Sequence, residues 1–273
     1  MRLTIGLLWR FLTMHWKYAP QRITFTSLVQ WLRQFPKDRR WEILSLLNYI
    51  RFVTAEQTDQ LILAGHTQVL ERLEEAGIQP SQIIYVSFDA AGSSSHVMLN
   101  MLRDRENLSR RSGGLLHSND GDKMTTLSSQ IGSGAVIYVD DFSGSGRQFK
   151  RNRNAIYPHI AGNFSEFFLA TCICEEALEI LEELGVEPVP GIVHYKNERP
   201  LHQDSTILDP QEKAQIIDVC RTIHPQQGLG FRRLATMVVL DRNAPNTTPL
   251  LFRGSLHQHP YRGIFPRWDD LPI

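Results

Sequence analysis

The sequence predicts an α/β protein, a parallel sheet flanked by helices and preceded by a helical module. Three observations carry this. Strand-like and helix-like segments alternate from residue 83 to 240, the order that builds a parallel sheet with helical crossovers. Residues 135–139, AVIYV, form a continuous apolar run of the kind found in parallel strands buried on both faces. Residues 24–77 carry helical periodicity and little else. The expected division is a helical module over 1–79, an α/β domain over 80–242 and an irregular tail over 243–273 packing on that domain. A chain of 273 residues accommodates all three.

In the module, Leu28, Trp31, Leu32 and Phe35 follow the i, i+3, i+4, i+7 spacing of a helix that Pro36 ends. Asp38 is placed to cap a second helix carrying Trp41, Leu44, Leu47 and Ile50, with Trp31 and Trp41 as packing anchors. The capping box TAEQ at 54–57 opens a third helix. Gly65 divides it from a fourth that holds Val69, Leu70 and Leu73. After a turn at 77–81 come a strand over 83–88, the loop DAAGSSS at 89–95, and a helix with Val97, Met98, Met101 and Leu102. Residues 104–134 are polar and lack sustained periodicity. They read as a long loop, of the functional or disordered kind.

The strand at 135–139 runs into a loop from which a short helix follows. A strand over 167–174 and a helix over 176–184 come next, the helix closed by Gly185. A further strand is expected over 189–195. Asp209 as N-cap, Pro210 at N1 and Glu212 at N3 mark a strong helix start. Residues 234–240 form the last strand.

Composition narrows the function. Lysine plus arginine and aspartate plus glutamate both total 29, and this neutrality argues against a protein that coats DNA by charge alone. A local basic face is still available in Arg33, Lys37, Arg39, Arg40 and Arg51, either as a solvated helical surface or as a nucleic-acid or partner surface. The three cysteines make neither a disulfide framework nor a zinc pattern. Cys172 and Cys174 share one face of a strand and read as core fillers. His257 and His259 lack further ligands at metal spacing and read as surface residues. Arg10 breaks the apolar N-terminal patch, no cleavage site follows it, and no run reaches the length of a membrane span. A cytoplasmic protein with no membrane partner is expected.

The chemistry concentrates at 135–148. A buried strand ends in Asp140 and Asp141, and a loop of serine and glycine then feeds a helix. Open α/β sheets bind ligands at the carboxyl ends of their strands. Gly144 and Gly146 permit close backbone approach, and the N–H groups of Ser143 to Gln148 lie where a helix begins, as in a phosphate cradle. Ser143 and Ser145 add hydroxyl donors. Asp140 and Asp141 are placed to accept from two neighbouring sugar hydroxyls, so the segment measures out a ribose 5-phosphate. Paired acids at a strand end also serve as helix caps or hold Mg²⁺ for phosphoryl transfer, as in receiver domains. Asp89 is open between ligand contact and helix cap. Lys123, Arg110 and Arg111 in the polar stretch read as solvated charges before phosphate contacts.

The segment VIYVDDFSGSG at 136–146 resembles the phosphoribosyl-pyrophosphate motif of type I phosphoribosyltransferases. The resemblance implies a phosphoribosyltransferase-type doubly wound parallel sheet. It also implies that Asp140 and Asp141 hold the ribose hydroxyls and Mg²⁺, with Asp141 the candidate carboxylate for the reacting ring. Ser143, Gly144, Ser145, Gly146, Arg147 and Gln148 would hold the 5-phosphate. By position, Asp89, Gly92, Ser93 and Ser94 correspond to the loop that receives pyrophosphate, and 104–134 to the loop that closes over the substrate. The implied ligand is phosphoribosyl pyrophosphate or a nucleotide. This chain departs from the motif at Gln148, where the family has threonine, and has no basic residue beside 90–95.

The lead-in WLRQF at 31–35, the segment APNTTPLL at 244–251 and Phe265-Pro-Arg267 are similar to phosphoribosyltransferase-like proteins of bacterial conflict systems. That similarity implies an antiphage effector, with a retron reverse transcriptase and its DNA–RNA hybrid as partner. Two other classes fit the same plan: a non-catalytic, ligand-sensing regulator and a structural subunit of a nucleoprotein complex.

Overall fold

In the computed structural model, which describes residues 17–88, 93–254 and 261–267, the chain divides into two units. One draws on Met1–Ala55 and His194–Ile273, the other on Glu56–Val193. This differs from the expected breaks after 79 and 242. The helix expected to close the N-terminal module belongs with the α/β sheet, and the segment after residue 193 joins the N-terminal helices.

In chain order the principal elements are α1 (Phe25–Arg33), α2 (Arg40–Ser45), β1 (Arg51–Val53), α3 (Ala55–Glu75), β2 (Ile83–Ser87), α4 (Ser94–Glu106), β3 (Gly114–His117) and α5 (Gly121–Ile131). There follow β4 (Ser133–Ser143), α6 (Arg147–Ile156), β5 (Asn163–Cys174), α7 (Glu175–Glu183), β6 (Glu187–His194), α8 (Pro210–Ile223) and β7 (Val238–Leu240).

The larger sheet has the order β3-β2-β4-β5-β6. β2 runs parallel to β3 and β4, and β4 parallel to β5. One face buries Tyr85, Ile137, Val139 and Leu169 under Val69 and Leu73 of α3 and Met98 and Leu102 of α4. The other buries Val86, Val136, Tyr138 and Phe168 under Met124 of α5, Phe149 of α6 and Leu181 of α7. Helices on both faces make the expected doubly wound α/β arrangement. Gly65 does not divide α3. A Cβ there would stand 2.6 Å from Leu169 Cδ1, so the glycine lets one unbroken helix lie close on the sheet.

The polar stretch 104–134 is not a long loop. It holds β3, an edge strand too short to show periodicity, and α5, which buries only Met124 and Ser128. A buried face that narrow hides in a polar sequence. Cys172 and Cys174 are buried in β5, as expected.

In the other unit β1 and β7 form a two-stranded parallel sheet, with Arg51 opposite Val238. The last strand therefore does not extend the large sheet. Trp31 stacks on Phe252, meets Phe35 edge-on and donates from Nε1 to the Leu251 carbonyl at 2.6 Å. Tyr18 donates to the Pro266 carbonyl at 2.6 Å. Leu250, Leu251, Phe252 and Phe265 are buried, so the described part of 243–273 is core and no appended tail. Trp41, expected as an anchor, is 41% exposed. Asp38 lies inside a 3₁₀ turn, Lys37–Arg39, and its carboxylate faces Arg39 at 3.3 Å instead of capping α2. Arg40 donates to the carbonyls of Phe35 and Arg33, closing the link between α1 and α2, so part of the basic tint is spent inside the module. His257 and His259 lie outside the described residues. No helix among the described residues is long and apolar enough to cross a membrane.

Each unit buries a neutral histidine. His66 Nε2 meets the Tyr85 hydroxyl at 2.8 Å, and burial first, then Arg111, lowers its pKa to about 4. His194 Nε2 accepts from the Met237 N–H at 3.0 Å, and burial first, then Arg199, lowers its pKa to about 3. An unfolded histidine titrates near 6.5, so the unfolded chain takes up protons first as pH falls. Both contributions are complete above about pH 6.5 and are lost as pH falls toward 4 and 3. For His66 the loss is roughly 3 kcal/mol. Denaturant midpoints of the wild type should fall steeply between pH 6.5 and 4.5, and His66→Gln should flatten that slope. An unchanged slope in the variant would show that this histidine is not held neutral.

Candidate functional site

The candidate site lies at the carboxyl ends of the parallel strands. β4 continues beyond the expected apolar run, through Asp140 and Asp141 to Ser143, because it stays in register with β5 as far as Ile173. That extension draws Asp140 into the protein, where it is 7% exposed. Its Oδ1 accepts from the Asp141 N–H at 2.9 Å and from the Ser94 hydroxyl at 3.3 Å. Burial, and then the charge of Asp141, hold the Asp140 carboxyl well above the usual carboxylate range. Two acids side by side, one of them buried and disposed to keep a proton, form a site that a cation or polar hydroxyl groups would relax.

The chain turns at Gly144, Ser145 and Gly146 and enters α6. Gly146 sits at the N-cap in the left-handed region, φ +69°, and no side chain caps the helix. The N-terminus of α6, where backbone N–H groups and the helix dipole favour an anion, therefore opens directly on this turn. Ser143 is buried, Gly144 and Ser145 are half-buried, and Arg147 and Gln148 are exposed on the first turn. Gly146 has a second constraint that the sequence did not disclose. A Cβ at this position would come within 2.9 Å of Ile180 Cβ and 3.2 Å of Ala177 Cα, because α7 packs against the turn.

Three consecutive serines join α4 to this edge, each with its own task. Ser93 is the N-cap of α4, accepting from the His96 N–H at 3.3 Å and donating to the Phe88 carbonyl at 2.9 Å. Ser94 contacts Asp140, as above. Ser95 is buried, accepts from the Phe88 N–H at 2.7 Å and donates to the Val139 carbonyl, tying the ends of β2 and β4 together. Asp89 and Gly92 lie outside the described residues. Of the basic residues noted in the polar stretch, Lys123 pairs with Asp120 at 3.0 Å.

Sequence reasoning missed the group that fixes α6. Arg153 makes a two-pronged ion pair with Glu166 of β5, at 3.0 and 2.6 Å, and both side chains are less than a tenth exposed. Tyr138 of β4 donates to the same carboxylate at 2.7 Å, and the Arg153 guanidinium lies 3.6 Å over the Tyr157 ring. Phe149 sits among Phe88, Tyr138 and Phe168, with centroids 4.5–5.6 Å away. The only sequence signal was an arginine seven residues beyond the last glycine of the loop, which reads as a surface charge.

The sequence matches the PRTase-CE family over residues 28–267. No curated protein matches. Among solved structures, the chain is similar to orotate phosphoribosyltransferase from Aeropyrum pernix, with 20% identity over 51% of this chain and 70% of that one and a TM-score of 0.35. It is also similar to orotate phosphoribosyltransferase from Mycobacterium tuberculosis H37Rv in complex with inorganic phosphate, with 10% identity over 60% of this chain and 92% of that one and a TM-score of 0.32. A third similarity is to purine phosphoribosyltransferase from Pyrococcus horikoshii, with 15% identity over 54% and 87% and a TM-score of 0.28.

Gly146→Val would force a branched side chain into a left-handed backbone and against α7. The substitution is therefore expected to destabilise the protein by roughly 1–3 kcal/mol or more. If Gly146 served a phosphate cradle alone, the variant would keep its sheet and lose only phosphate binding. Denaturant unfolding separates the two outcomes, since a native-like midpoint would mean that α7 yields to the new side chain.

Proposed function

The chain belongs to the PRTase-CE family, a phosphoribosyltransferase-like family, and on that premise we propose that it binds a ribose 5-phosphate group, carried by phosphoribosyl pyrophosphate or a nucleotide, at the carboxyl edge of its large sheet. The observation that carries the proposal is the continuous run from Asp140 to Gly146: two acids, then a turn that opens onto an uncapped helix. The N–H groups at 143–148 and the hydroxyls of Ser143 and Ser145 take the 5-phosphate, which needs donors and no acceptors. Asp140 and Asp141 accept from the neighbouring ribose hydroxyls. Ser94, bonded to Asp140, holds that carboxylate toward the ligand, and by sequence position Asp89, Gly92 and Ser93 correspond to the pyrophosphate loop.

Mg²⁺ fits this arrangement in one way. Among the described residues no cluster of three or more histidine, cysteine or acidic side chains exists to cage a metal. The paired carboxylates of Asp140 and Asp141 would supply part of the coordination, and oxygens of the ligand the rest. Bound there, the ion would neutralise a diphosphate leaving group. The protein's own contribution is positional. When the bond from ribose C1 to diphosphate or to a base breaks, its electron pair departs with the leaving group and positive charge builds on the ring. Asp141, which is half-buried, would be the carboxylate that offsets that charge.

A cytoplasmic role in antiphage defence, with a reverse transcriptase and its DNA–RNA hybrid as partner, is the finer part of the proposal and rests on the motif similarities at 31–35, 244–251 and 265–267.

Thermal shift with phosphoribosyl pyrophosphate, nucleoside monophosphates and Mg²⁺ tests the site. A ligand at a hundred times its Kd should raise Tm by about 5–10 °C. The double variant Asp140→Asn, Asp141→Asn should lose that shift while its own Tm stays level or rises, since two acids no longer repel. Ser145→Asp should lose it as well, by setting a carboxylate in the phosphate cradle. No shift with any ligand would sink the proposal. A shift without turnover of the same ligands would assign the domain to sensing rather than catalysis.

A further inference from the structure

We infer that His117 is a further binding residue of this site, its ring N–H donating to an anionic group carried on ribose C1, across the strand ends from the 5-phosphate cradle. The inference rests on the ribose-phosphate reading above and assigns a role to a residue that reading does not use.

His117 is the last residue of β3, and it lies opposite Ser87 of β2. Ser87 in turn lies opposite Val139, the residue before Asp140. The three form one row across the carboxyl edge. With strands about 4.8 Å apart, His117 stands roughly 10 Å along that edge from the end of β4. Side chains alternate along a strand, so His117 shares the face of Leu115, Tyr85 and Val139, the face on which α4 packs. The first turn of α4 begins with Ser94, which touches Asp140. His117 and the two acids therefore flank the same helix start.

The local structure fixes the ring and leaves one donor over. The His117 backbone N–H donates to Asp120 Oδ2 at 2.9 Å, and Lys123 holds the other oxygen of that carboxylate at 3.0 Å. The ring Nδ1 accepts from the Asn119 N–H at 3.4 Å. A neutral imidazole whose Nδ1 accepts carries its proton on Nε2. That Nε2 is buried and has no hydrogen-bond partner. An unmatched buried donor costs about 1–3 kcal/mol, and a ligand acceptor would remove the cost. The uncapped helix already serves the 5-phosphate, and the two acids serve the hydroxyls. What extends along the edge toward β3 is the substituent on C1, and a phosphoryl oxygen there would give a charge-assisted bond. His117 thus adds to the discrimination of a ribose 5-phosphate bearing a 1-diphosphate from one that lacks it.

Calorimetric titration of wild type, His117→Phe and His117→Asn with phosphoribosyl pyrophosphate and with ribose 5-phosphate, Mg²⁺ present throughout, tests this. Both substitutions should weaken phosphoribosyl pyrophosphate binding about tenfold or more and leave ribose 5-phosphate binding as it was. His117→Gln, which keeps an N–H at similar reach, should restore most of the loss. Equal losses for both ligands, or none for either, would overturn the role of His117 and leave the ribose-phosphate site standing. Wild-type protein that binds neither ligand would instead overturn that site, and this inference with it. His117→Asn guards against the bulk of phenylalanine, since a loss seen only with phenylalanine counts against the inference.

Discussion

The candidate site depends on the way α6 is fastened to the sheet. A helix that presents its N-terminus to a phosphate must be held at a set height above the strand ends, and Arg153 sets that height here. Its guanidinium grips Glu166 with two hydrogen bonds in a nearly closed environment, and Tyr138 fills a remaining position on the same carboxylate. An ion pair buried this way adds little net stability over an apolar contact of the same shape, because both charges must leave water. Its geometry admits one register, however. Phe149, one turn earlier, packs among three aromatic rings and supplies the burial that the ion pair does not.

What was legible in the sequence follows the physics of each element. Residues 135–148 were readable because a strand buried on both faces is apolar throughout and the turn after it demands glycine. The helix at Pro210–Ile223 was readable because its cap, proline and glutamate are all local signals, and Asp209 does accept from the N–H groups of Gln211 and Glu212. The fate of residues 104–134 was not, since an edge strand of four residues has no period to detect. Nor could the partner of residues 238–240 be read. An apolar strand advertises burial and says nothing of its neighbour, and this one pairs with β1. In the site, paired acids and glycines were visible. The Arg153–Glu166 pair and the contact of Gly146 with α7 arise between distant segments and left no local trace.

The short motifs at 31–35, 244–251 and 265–267 take on a physical meaning together. Trp31 donates to the Leu251 carbonyl, Phe35 packs on Tyr261, and Phe265 meets Tyr18 edge-on. Thr236 and Thr247 share a hydrogen bond at 2.8 Å where neither is exposed beyond 2%. These motifs mark the interior of one unit.

The pairing of β1 with β7 joins an early part of the chain to a late one. On the ribosome this sets an order of events. Residues 56–193 emerge as an uninterrupted stretch and can complete their sheet while the rest of the chain is still being made. Arg51 to Val53 must wait, with their backbone edge unpaired, until Val238 to Leu240 appear. Closing so long a loop is slow. A chain truncated between residues 194 and 237 would thus carry a finished α/β sheet and an N-terminal segment lacking its partner strand, a species that quality-control proteases would meet before any ligand did.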